Sequence, residues 1–82
     1  DIREPLNIFY TFADFEKYRS HSNYDPKNWV CHQRNTPGTE IHVYNKNVTR
    51  DQARSRFASK HKIKSGEVRC STAANFNLVE AD

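Results

Sequence analysis

The chain has 82 residues, which is one domain and not two. Lys and Arg number 13 against 10 Asp and Glu, so the net charge of +3 permits an anionic partner without requiring one. Apolar residues make up 35% of the chain, but aromatics reach 12%, which argues against a disordered tail, and the apolar run at 8–12 is far too short to span a membrane.

Residues 6–12 alternate, with Leu6, Ile8, Tyr10 and Phe12 on one face of a strand. Helical spacing of Ile8, Phe12 and Phe15 is the competing reading. Aromatic and β-branched content favours the strand. The run Thr11-Phe12-Ala13-Asp14 then caps a short helix to about Ser20, with Phe15 and Tyr18 as its buried pair. Residues 20–27 are rich in turn formers and read as a loop.

Two alternating stretches follow, 28–34 and 39–45, joined by the hairpin loop Asn35-Thr36-Pro37-Gly38. Thr49 is placed as the N-cap of a second helix, with Gln52 as its capping-box partner and Val48 against Ala53 as a hydrophobic staple. That helix runs to about Lys62, carries the narrow stripe Ala53, Phe57, His61, and uses Gly66 at its exit. Residues 67–72 read as a strand and 75–80 as a last one. The order β-α-β-β-α-β-β is an α+β fold, an antiparallel sheet of four or five strands with two helices.

Cys31 and Cys70 are the cysteines of this chain. Bridged, they close a loop of about 40 residues, which the chain-entropy model values at roughly 4 kcal/mol. A thin core invites such a staple. The alternative is a pair of buried free thiols in a reducing compartment. The bridge implies an oxidising compartment and secretion. The start at Asp1 and the absence of a signal peptide then read as processing or as a trimmed chain.

With Asn35–Gly38 as the loop, Cys31 faces His42, Gln33 faces Glu40 and Trp29 faces Tyr44. Glu40 and His42 therefore share one sheet face with Trp29, Cys31 and Tyr44. A carboxylate and an imidazole so placed suit the base and acid of RNA cleavage. Arg34, Arg54, Arg56, Lys60 and Arg69 are candidates for holding phosphate, although the helix cations spread around its axis. Trp29 and Tyr44 are candidates for a partner surface. No zinc-type spacing links Cys31, His32, His42, His61 and Cys70, so neither metal nor cofactor is expected. Asn47-Val48-Thr49 is an N-glycosylation sequon.

The stretch Ser71-Thr72-Ala73-Ala74-Asn75-Phe76-Asn77-Leu78-Val79-Glu80 resembles the last strand region of guanyl-specific fungal ribonucleases. The resemblance covers about ten residues and implies fold kinship with enzymes that set His and Glu on a sheet. The stretch lacks the histidine that the family carries there.

Taken together, the residues read as a small secreted binding protein, effector-like or toxin-like, that engages a protein of a host or target cell. The alternative is a ribonuclease-like fold, either binding RNA without catalysis or cleaving it with Glu40 and His42.

Overall fold

The alternating pattern on either side of the hairpin loop becomes two strands, β2 (Trp29–Gln33) and β3 (Ile41–Tyr44). The computed structural model describes residues 4–10, 12–22, 24–34 and 40–76. Strands β2 and β3 are antiparallel, with Trp29 opposite Tyr44, Val30 opposite Val43, Cys31 opposite His42 and His32 opposite Ile41. Those pairings are the ones the sequence implies. The loop at 35–39 lies outside the described residues.

The hairpin gains a strand on each side. Strand β1 (Asn7–Phe9) pairs with β3, and β4 (Val68–Thr72) pairs with β2, giving the order β1-β3-β2-β4, antiparallel throughout. Helix α1 (Phe12–Arg19) covers one face and helix α2 (Arg50–His61) the other. Because strand side chains alternate, the hairpin supplies two cores at once. Val30, Ile41 and Val43 meet Phe15 and Tyr18 of α1, together with Ala73 and Phe76 from beyond β4. Cys31 and Tyr44 meet Ala53, Phe57 and Ala58 of α2, with Val48 and Val68. All four residues of β3 are buried.

The first segment departs from the sequence expectation. The strand is short, and Phe12 opens α1 instead of ending a strand. Leu6, Ile8 and Tyr10 are exposed, at 48%, 39% and 60%. Ile8 lies opposite His42, which puts it on the α2 side of the sheet. Helix α2, however, packs over β2 and β4 and leaves that edge uncovered. Phe9 points the other way and enters the α1 core, its ring 6.1 Å from Phe15 and 5.5 Å from Tyr18. The proposed cap at Thr11 lies outside the described residues.

Helix α2 begins as its sequence requires. Thr49 Oγ1 accepts from the Gln52 amide at 3.1 Å, and Gln52 Oε1 accepts from the Thr49 amide at 3.0 Å. Its exit differs. The left-handed residue is Lys62 (φ 57°), not Gly66, and the Ile63 amide closes back on Ala58 O at 3.0 Å. Gly66 sits in the 3-10 turn Ser65–Glu67 that leads into β4. Beyond β4 the chain turns at residues 73–75 and drops Phe76 into the α1 core. Arg19 reaches across from α1 to donate to the Phe76 carbonyl. Residues 77–80 of the expected last strand lie outside the described residues.

Asn28 joins segments that are distant in sequence. It is buried, its Nδ2 donates to the Tyr18 hydroxyl at 3.3 Å, and its Oδ1 accepts from the Lys46 amide at 3.0 Å. Its carbonyl takes the Ala73 amide at 2.8 Å. One side chain and its backbone therefore tie α1, the turn after β3 and the segment after β4 together. A buried amide left without these partners costs about 1–3 kcal/mol.

Cys31 and Cys70 are bridged, and they are direct cross-strand partners on β2 and β4, with Cα atoms 4.2 Å apart. The link spans 39 residues and encloses the hairpin turn, β3 and all of α2. Replacing both cysteines by alanine is expected to cost about 4 kcal/mol. Denaturant unfolding with and without the bridge measures it, and a loss below about 1 kcal/mol would contradict the assigned role.

Candidate functional site

Glu40 precedes β3 by one residue, so its side chain projects to the same face as His42 and Tyr44. That face is the one roofed by α2. The Ala53, Phe57, His61 stripe of α2 recurs every four residues and so points onto the sheet. The result is a three-residue cluster. Glu40 Oε1 lies 2.9 Å from His42 Nε2 and 3.0 Å from His61 Nε2. The second ring nitrogens are also occupied: His61 Nδ1 donates to the Phe57 carbonyl at 3.1 Å, and His42 Nδ1 meets the Tyr44 hydroxyl at 3.3 Å. Phe57 and His61 stack at 4.1 Å and 14° between planes, and the edge of His42 abuts Phe57 at 4.9 Å.

Exposure within the cluster is uneven. The His42 side chain is fully buried, whereas Glu40 is 30% and His61 21% exposed. The Glu40–His42 contact expected from the sequence is present, but a substrate reaches only Glu40 and His61. From the sequence His61 is a stripe residue with no zinc-type spacing to the other histidines and cysteines. The signal for its role was already there: a histidine ending an otherwise apolar stripe has to face whatever polar group the sheet puts beneath it.

Burial governs the electrostatics. It lowers the pKa of His42 below the usual histidine value, against an opposing pull from the Glu40 hydrogen bond. Glu40 is held below the usual carboxylate range, chiefly by the His42 hydrogen bond and also by His61. Burial pushes the Tyr44 phenol up to about 12. On the opposite face His32, against Phe76, is likewise lowered by burial. At neutral pH the cluster therefore holds an ionised Glu40 and a neutral His42.

The candidate phosphate-binding residues separate into two groups. Arg34 and Arg54 line a cavity of about 310 Å³ together with Arg50 and Arg69, floored by Val68 and Cys70. Among the described residues the buried Arg54 Nε has no hydrogen-bond partner. Arg56 and Lys60 lie elsewhere, beside Glu4, Pro5 and Tyr44, and Arg56 approaches Glu4 at 3.6 Å. The split follows from helix geometry: residues 50 and 54 share one face, and 56 and 60 share another.

Of the candidate partner residues, Trp29 is half-buried and donates its indole N–H to Val48 O at 2.9 Å. Tyr44 is 1% exposed under α2 and offers a partner no surface. Asn47 is exposed in the turn before α2, so the sequon is at the surface.

No protein-family model, no curated protein and no solved structure matches this chain. Among the described residues no helix is long and apolar enough to cross a membrane.

Acid should weaken the fold. His42 and His32 have lowered pKa values, so below about pH 6.5 the unfolded chain takes up protons that the folded chain resists. Glu40, also lowered, adds the same sign through the carboxylate range. Stability is thus complete above pH 6.5 and lost as pH falls. Thermal melts between pH 7.5 and pH 4 should show a falling midpoint, and a flat profile would contradict this electrostatic picture.

Proposed function

We propose that the chain acts by binding another protein, and that the docking place is the outer edge of β1. The carrying observation is that the large exposed apolar side chains of the described residues, Leu6, Ile8 and Tyr10, are all on or beside this strand. Strand β1 ends the sheet, and a sheet edge is a template for an added strand. The occupant is an extended segment of a partner. Its side chains would alternate between two faces, as any strand's do. One set meets Leu6, Ile8 and Tyr10. The other meets a cavity of about 340 Å³ lined by Asn7, Phe9, Asp14, Lys17, Tyr18 and His21.

The disulfide fits an oxidising setting such as secretion, and an effector-like or toxin-like role towards a host or target cell is part of the same proposal. The ribonuclease reading with Glu40 and His42 has less support, because substrate has no path to a fully buried His42.

A photo-crosslinking residue at position 8 should attach to the partner's extended segment, and the same residue at Ser55, exposed on α2, should not. With that partner purified, Ile8→Asp should weaken binding about 10- to 100-fold, the worth of burying one aliphatic side chain at ~1.5–3 kcal/mol, while leaving the melting temperature unchanged. Equal crosslinking from both positions, or unaltered affinity of Ile8→Asp, would remove the reading.

A second reading, RNA binding without catalysis, is favoured by the cavity that gathers Arg34, Arg50, Arg54 and Arg69. It requires affinity for single-stranded RNA that falls steeply with salt and is weakened in Arg54→Ala. Undetectable binding at low salt would exclude it.

A further inference from the structure

The geometry points to a divalent transition-metal site formed by Glu40, His42 and His61. His42 lies across from Ile8 in the sheet, but the site does not depend on the docking edge. The argument begins with the His61 ring. A carbonyl oxygen can only accept, so the 3.1 Å contact to Phe57 O places a proton on Nδ1. A ring protonated there alone presents a lone pair at Nε2. Facing it at 3.0 Å is Glu40 Oε1, which also carries lone pairs. Two acceptors at that distance require a cation between them, either a proton or a metal ion.

The second histidine is ready for the same exchange. The Tyr44 hydroxyl can donate to His42 Nδ1 when Nε2–H donates to Glu40. It can equally accept from Nδ1–H, which frees the Nε2 lone pair for a metal. Both imidazoles thus have the outer hydrogen bond that orients metal-binding histidines, one to a backbone carbonyl and one to a phenol.

The donor atoms lie close to the reach of one ion. Ligands around tetrahedral zinc, with bonds of 2.0–2.2 Å, sit about 3.3–3.6 Å apart. The Glu40 oxygen is already 2.9 and 3.0 Å from the two nitrogens, and all three donor atoms lie within 4.8 Å of one another. Closing on an ion asks for a small turn of the part-exposed His61 and Glu40 side chains. Two imidazoles and one carboxylate select Zn²⁺, Co²⁺, Ni²⁺ or Cu²⁺ over Mg²⁺ or Ca²⁺. The exposed side of Glu40 leaves room for water as a fourth ligand. A bound ion would join the start of β3 to the last turn of α2.

The test uses the bridged, chelator-stripped protein at pH 7.5 and Zn²⁺ alone. Calorimetry should give one site per chain, and the melting temperature should rise with the logarithm of Zn²⁺ concentration. His61→Gln keeps the helix and should weaken binding about tenfold or more, with Glu40→Gln acting in the same direction. His21→Ala, at an exposed histidine away from the cluster, should bind as wild type. Co²⁺ should give the intense visible absorption of a four-coordinate ion. Absence of heat and of any melting shift at millimolar Zn²⁺, or binding undiminished in His61→Gln, overturns the site.

Discussion

The bond between Cys31 and Cys70 joins the first hairpin strand, β2, to the edge strand β4 that arrives after α2. Everything on the α2 side is organised around it. Cys31 is itself part of that core, packed with Tyr44, Phe57 and Val68, so the link acts both as a covalent constraint and as buried volume. A sheet with so few residues in each strand has little pairing energy of its own. Fixing β4 against β2 gives α2 a floor to pack on. Once α2 is seated, its last turn reaches the start of β3, and the Glu40 cluster forms.

Much of this was legible in the chain. The hairpin register followed from one loop and simple alternation, and with it the shared face of Glu40, His42 and Tyr44. The Thr49 cap and the Ala53, Phe57, His61 stripe were equally local. What escaped was set by where the helices lie over the sheet. Alternation put Leu6, Ile8 and Tyr10 on a common side, and all three are exposed, but only the placement of α2 over β2 and β4 explains why Ile8 is bare. Likewise Tyr44 resembles an exposed aromatic until α2 is known to cover it. The exit at Lys62 was hidden because a lysine in the left-handed region carries no marker comparable to glycine.

The cluster at Glu40 and the cavity at Arg54 show different balances between polar groups and burial. In the first, one carboxylate oxygen serves two imidazoles, and each imidazole has a second anchor, so the group stiffens the junction of β3 and α2. In the second, four arginines line one hollow, and among the described residues a buried nitrogen of Arg54 has no partner. Both rest on the same helix, on faces separated by its own pitch, so α2 serves at once as roof, as ligand donor and as a source of cationic surface.

Strand β3 has a consequence for how the molecule comes apart. With all four of its residues buried, alternately towards α1 and towards α2, it is a wall shared by two thin rooms. Neither room stands without it, and stripping either helix exposes one of its faces to water. The protein therefore has no cheap half-open state. Its interior amides should open together, in a single cooperative event, despite the division of its core into two.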